Sequence, residues 1–258
     1  MDEPPVIRTA AFTVSWNPGP LRPELGEGNV HVWLAALDQP QERIEMFRDT
    51  LAEDELARAS RFRFDDLRDK YVIGRGILRD ILARYCHTEA QSIRFEYGPY
   101  GKPGLAAARA KNRARFNVSH SGMLFMCAVA GEIEVGIDIE QIEPRKDSLK
   151  LADRFFAPRE AAEIHALPPE QQLDAFHACW TRKEAYLKGK GNGLAAPLDK
   201  FEVTLRPGVA AALLSSEVEP EDATRWKLFD VTPCPGYAAA LAAEAAVADV
   251  ACWRWPPR

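Results

Sequence analysis

The chain has 258 residues, 47% hydrophobic and 28% charged, with a net charge of −5. That length holds one large domain or two small ones sharing a core, and the composition excludes a disordered chain. The acidic balance excludes general attraction to nucleic acid or anionic membrane, so any phosphate binding must come from local basic clusters.

Residues 1–30 are rich in Pro and Gly without a clear period and predict an extended arm. The start, Met1-Asp2-Glu3-Pro4-Pro5, lacks the basic and apolar regions of a targeting segment. His31–Leu37 predicts a strand, and Leu51–Phe64 and Leu67–Tyr85 predict helices, the first with Leu51, Leu56, Ala59 and Phe62 at helical spacing. Ser92–Tyr97 predicts a strand, followed by a turn-forming stretch through Pro103. Arg115–Ser119 and Leu124–Ala130 predict paired strands, which closes a first half at residue 133.

The second half, 134–258, opens with a strand at Glu134–Ile139. Helices follow near Pro158–Ala166 and Pro169–Lys188, then strands at Phe201–Leu205, Trp226–Val231 and Tyr237–Ala242. Each half runs strand, helices, strands, an order compatible with two α+β halves packed face to face. The longest apolar stretch, 238–251, is interrupted by Glu244 and Asp249 and falls short of a membrane span. Cys86, Cys127, Cys179, Cys234 and Cys252 form no C-x-x-C pair, which predicts reduced core thiols in a cytoplasmic protein.

Chemistry concentrates in a few segments. In Val135-Gly136-Ile137-Asp138-Ile139-Glu140, strand alternation puts Asp138 and Glu140 on one face. Two neighbouring carboxylates repel, and an oxygen-only donor set favours magnesium or manganese as the compensating cation. Alone, the pair is equally well a solvated acidic edge. Trp180, Glu184 and Lys188 recur every four residues, on one helical face. The ordinary alternative is a surface ion pair between Glu184 and Lys188. The sequence Gly189-Lys190-Gly191-Asn192-Gly193-Leu194 then ends the helix and suits close approach to a ligand, though it matches neither a Walker A loop nor a dinucleotide fingerprint.

Ser119 and His120, in Phe116-Asn117-Val118-Ser119-His120-Ser121-Gly122, put a hydroxyl and an imidazole at a strand end where a phosphate could bind. Lys102 lies in Gly101-Lys102-Pro103, where proline fixes the turn. Arg58, Arg61, Arg68, Lys70, Arg75 and Arg79 are interleaved with aspartates, a mixed-charge face within which spacing selects no phosphate ligand.

In this order the segments resemble the 4'-phosphopantetheinyl transferases, in particular the larger surfactin-synthetase-activator type. The matching blocks are Tyr100-Gly101-Lys102-Pro103, Phe116–Gly122, Val135–Glu140, Arg154-Phe155-Phe156 and Trp180–Leu194, with a weaker match at Arg58–Phe62. The resemblance implies two pseudosymmetric α+β halves with coenzyme A, the substrate, in the cleft between them. It implies transfer of the 4'-phosphopantetheine arm to a serine of an apo acyl or peptidyl carrier protein, with adenosine 3',5'-bisphosphate released, by a cytoplasmic monomer. Asp138, Glu140 and Glu184 are then the expected metal ligands, for Mg2+ or Mn2+. Lys102, Ser119 and His120, with Arg58 and Lys70, are the expected phosphate contacts. Lys188 is expected at the reacting phosphate, and Glu184 and Glu140 compete as the base. One departure is Glu55, acidic where the family has a basic residue, which leaves Arg75 as a substitute contact. Two other readings fit the carboxylates: a magnesium-dependent nucleotide phosphohydrolase, and a non-catalytic coenzyme A or carrier-binding module.

Overall fold

Two long helices, of 22 residues each, back two sheets whose edges meet. The computed structural model describes residues 14–98, 101–106, 114–143, 147–191 and 197–256. Residues 1–13 of the arm, Pro99-Tyr100 of the turn and Asn192–Leu194 of the glycine loop lie outside them. The elements in chain order begin with β1 (Trp16–Pro18), β2 (Asn29–Ala36), α1 (Gln41–Arg48), α2 (Glu53–Ala59) and α3 (Asp65–Cys86). The short strands β3 (Phe95–Tyr97) and β4 (Pro103–Leu105) precede β5 (Arg115–Ser121), β6 (Leu124–Ala130) and β7 (Val135–Gln141). Then come α4 (Ser148–Phe155), α5 (Pro158–His165), α6 (Pro169–Lys190), β8 (Phe201–Val203), β9 (Leu213–Ser216), α7 (Asp222–Arg225), β10 (Trp226–Asp230), β11 (Tyr237–Glu244) and β12 (Asp249–Arg254).

The expected α+β class holds. The first sheet has the order β1-β12-β2-β6-β5 and the second β10-β11-β7. Strand alternation explains their stacking. On β6, Phe125, Cys127 and Val129 face the core under α3, whereas Met126, Ala128 and Ala130 share a second core with Val135, Ile137 and Ile139 of β7. A strand covered on both sides is apolar on both faces, as here. The third core lies under α6, where Ala185 and Leu187 meet Ala240, Ala242 and Trp226.

Several elements differ from expectation. The helix predicted at Leu51–Phe64 is confined to Glu53–Ala59, and Leu56 on it is exposed. Beside Ala59, the side chain α2 buries is a charged one, Glu55. It accepts hydrogen bonds from Ala52 N, Arg75 and the buried Arg79, which outweighs burial and holds its pKa below the usual carboxylate value. Arg75, the suggested substitute phosphate contact, is engaged in this pair. Helices α1, α4 and α7 and strands β1, β4, β9 and β12 were not anticipated, and β12, from the end of the chain, runs parallel between β1 and β2 in the first sheet. All five cysteines are free; Cys234 is exposed, against the expected core placement, because it sits in the loop between β10 and β11. No described helix is long and apolar enough to cross a membrane.

Candidate active site

The two sheets meet where alternate residues of β5 reach the edge of β7. Asn117 Oδ1 accepts the Ile137 N–H at 2.9 Å, and Ser121 Oγ accepts the Gln141 N–H at 3.0 Å. Side chains thus take over the bonding that a backbone ladder would supply at a sheet edge. Ser119, between them, donates to Asp138 Oδ1 at 2.9 Å, and Ser121 donates to Glu140 Oε2 at 2.8 Å.

The opposite wall is α6, which approaches β7 at two glycines. A Cβ on Gly136 would overlap the Ala185 carbonyl oxygen and the Gly189 amide nitrogen, so only glycine permits this backbone contact. The contact sets Glu184 and Lys188, one turn apart, over the β7 carboxylates. Lys188 Nζ donates to Asp138 Oδ1 at 2.6 Å and to Ser119 Oγ at 3.0 Å.

The electrostatics follow from burial. Asp138 is 3% exposed, and its pKa is raised by desolvation, which Lys188 and Ser119 only partly offset. Burial, then the charge of Asp138, pushes Glu184 up to about 7, with Lys188 opposing and Glu140 adding. Asp138 Oδ2 and Glu184 Oε1 are buried and have no hydrogen-bond partner among the described residues. Such atoms are costly unless something compensates them. Among the described residues no group of three or more His, Cys, Asp or Glu side chains is gathered tightly enough to form a ready-made ion cage. The two unpartnered oxygens, beside Glu140 in an oxygen-only donor set, nevertheless fit a hard divalent cation.

The remaining expected residues divide. His120 is solvent-exposed, yet partial desolvation and then Lys188 lower its pKa; Glu140 and Lys70 act on it as well. Lys70, Lys188, His120 and Glu140 are therefore one electrostatic neighbourhood. Lys102 Nζ is bonded to Glu134 and to the Gly189 carbonyl at 3.0 Å, so it ties the β3–β4 hairpin to the end of α6. Arg58 stands apart over the Tyr71 ring, in a cavity of about 550 Å³ lined also by Arg61, Phe62 and Tyr97.

Sequence reasoning gave no role to Ser121, Gly136 or Lys183. A glycine inside an apolar strand pattern is the signal that could have found Gly136. Lys183 carries no such signal. It is fully buried, pairs with Glu160 at 2.7 Å, and donates to the carbonyls of Leu198 and Phe201. It therefore anchors the chain that returns from the glycine loop.

A carboxylate cluster facing a lysine where two sheets meet suits a polyphosphate only together with a divalent cation. The sequence matches define the class. Residues 134–242 match the 4'-phosphopantetheinyl transferase superfamily, and residues 38–133 match the 4'-phosphopantetheinyl transferase, N-terminal, family. The chain belongs to the 4'-phosphopantetheinyl transferases and is an enzyme of that type. It is 39% identical over 244 residues to 4'-phosphopantetheinyl transferase HetI of Nostoc sp., covering 95% of this chain and 97% of that protein. It is 33% identical to 4'-phosphopantetheinyl transferase Sfp of Bacillus subtilis, covering 66% of this chain and 74% of that one. A putative 4'-phosphopantetheinyl transferase of Synechocystis sp., slr0495, is 36% identical over 66% of this chain and 68% of its own length.

Proposed function

We propose that the enzyme transfers the 4'-phosphopantetheine arm of coenzyme A to a serine of an apo acyl or peptidyl carrier protein, with Mg2+ (or Mn2+) and release of adenosine 3',5'-bisphosphate. The observation that carries the metal assignment is the pair of buried, unpartnered oxygens, Asp138 Oδ2 and Glu184 Oε1. Asp138, Glu140 and Glu184 would hold the ion. When bound, it would supply charge neutralisation at the pyrophosphate.

The chain's own groups account for the rest. The carrier serine loses its proton to a carboxylate, its oxygen bonds to the β-phosphorus of the phosphopantetheine arm, and the bond to the adenosine bisphosphate breaks with its electron pair. We favour Glu184 over Glu140 as the base. Glu184 keeps a buried Oε1 with no hydrogen-bond partner among the described residues, whereas Glu140 is held by Ser121. Lys188, once drawn from Asp138, is the cation nearest the leaving phosphate. Ser119, His120 and Lys70 would line the phosphate side, with Lys102 at its margin and Arg58 in the cavity beside Tyr71.

Residues 31–133 and 134–258 are the proposed functional halves, with residues 1–30 an arm; β1 of the arm and β12 of the second half complete the first sheet. Both walls of the seam come from one chain, which supports action as a monomer. Five free cysteines support a reducing, cytoplasmic setting.

Intact-mass analysis of a panel of apo carriers, incubated with coenzyme A with and without magnesium, tests the assignment. A magnesium-dependent gain of one phosphopantetheine mass is expected. Coenzyme A cleavage without a carrier adduct would make the enzyme a hydrolase, and intact coenzyme binding without either would make it a binding module.

A further inference from the structure

Resting on the metal-site assignment above, we propose that Ser121 is a positioning residue: it sets the orientation of the Glu140 carboxylate. Nothing else assigns it a role. Its hydroxyl is used in both directions. Oγ accepts the Gln141 N–H at 3.0 Å, which directs its own proton elsewhere, and Glu140 Oε2 lies 2.8 Å away to receive it. A serine that only closed the seam would need the first bond alone.

Ser119 repeats the arrangement two residues earlier. Its Oγ accepts from Lys188 Nζ at 3.0 Å and donates to Asp138 Oδ1 at 2.9 Å. Ser119 and Ser121 share one face of β5, and Asp138 and Glu140 share one face of β7, because side chains alternate along both strands. Each carboxylate therefore receives one hydroxyl from the opposite strand at matched spacing. One oxygen of each is engaged by a serine hydroxyl; on Asp138 the other, Oδ2, is buried and has no hydrogen-bond partner among the described residues.

The support under Ser121 is itself fastened. Gly122 turns the chain with φ +58, and a side chain there would collide with Gln141 Oε1 and Tyr237 Oη. Met123 N donates to Tyr237 Oη at 3.3 Å, so the β5–β6 turn is latched to β11. A hydroxyl on a latched turn holds a carboxylate in one rotamer. Groups of this kind around a metal ligand typically change metal affinity or activity 10–100-fold, as an order of magnitude, when removed.

Magnesium binding to the coenzyme-free enzyme, measured by calorimetry, and turnover against magnesium concentration test the proposal on Ser121→Ala and Ser121→Thr. We expect Ser121→Ala to raise the magnesium dissociation constant and the half-saturating magnesium concentration about tenfold or more. The KM for coenzyme A at saturating magnesium should change less than about threefold, and Ser121→Thr, which keeps the hydroxyl, should restore magnesium binding. Adding Ser121→Ala to Glu140→Ala should cost no further magnesium affinity, since Ser121 acts on the metal site through Glu140. Wild-type magnesium binding by Ser121→Ala, or an equal loss in both Ser121 variants, would overturn the proposal. Unchanged magnesium binding by Glu140→Ala alone would instead overturn the assignment of Glu140 as a ligand.

Discussion

Lys188 Nζ lies 2.6 Å from Asp138 Oδ1, and this ion pair joins α6 to β7 at the seam between the sheets. The carboxylate is nearly inaccessible, while the lysine is partly exposed. A buried carboxylate requires a compensating cation. In this arrangement the lysine supplies it, although the same lysine is the one proposed to meet a leaving phosphate.

Replacing Lys188 with Met should therefore act twice. Without metal, Asp138 loses its counter-charge, and stability should fall by roughly 3 kcal/mol, the scale for breaking a buried pair. Magnesium should recover part of that loss, whereas turnover should stay at least about 100-fold down at any magnesium concentration. Chemical unfolding with and without magnesium, beside the carrier assay, checks both. A variant as stable as wild type without metal would show that Asp138 is neutral or otherwise paired.

Glu184→Gln keeps the shape of the side chain and removes its basicity. We expect kcat to drop by roughly 100-fold or more while coenzyme A binding stays within about threefold of wild type. Single-turnover kinetics with calorimetric binding separates the steps. Loss of binding with an unchanged chemical step would leave Glu184 a ligand and not a base, and return the base to Glu140.

Gly136 should tolerate no side chain. Gly136→Ala forces β7 away from α6 at Ala185 and Gly189, and so moves Asp138 from Glu184 and Lys188. The cost should be about 1–3 kcal/mol, the range for overpacking, with loss of transfer out of proportion to loss of fold. Circular dichroism melts and the carrier assay provide the comparison. Normal activity in a folded Gly136→Ala protein would mean that the close approach is not what sets the site.

His31 gives the fold a dependence on acid. It is buried, with Tyr85 Oη 2.9 Å from Nδ1 and the Trp253 ring 4.1 Å away between centroids. Burial lowers its pKa from 6.5 to about 4, against a smaller opposing pull from Asp249. Between those values the unfolded chain binds the extra proton and the folded one does not. Stability is thus complete above about 6.5 and declines as pH falls toward 4, by about 2 kcal/mol at pH 5. Urea unfolding at pH 7 and pH 5 should show wild type losing about that much more than His31→Gln. An equal loss in both proteins would show that His31 ionises freely in the fold.

Much of the site was legible because local periodicity places side chains. Alternation along β7 put Asp138 and Glu140 on one face, and the four-residue spacing on α6 put Glu184 beside Lys188. Glu55 was misleading because a buried acid and an exposed acid look alike in sequence; only its contacts with Arg75 and Arg79 tell them apart. Helices α1 and α4 escaped notice because they lack the proline at the first helical position that marks the equally short α5.

By itself the sequence determined the long helices, the main strands and the order of the family's motifs, since each depends on near neighbours. The tertiary structure decided what those residues touch. It brought β12 between β1 and β2, though their partners lie at opposite ends of the chain. It set the Asn117–Ser119–Ser121 row against β7, and gave Lys188 to Asp138 when spacing alone would have paired it with Glu184. Such pairings depend on two sheets meeting at an edge and on a glycine-thin contact between β7 and α6, which no local pattern encodes.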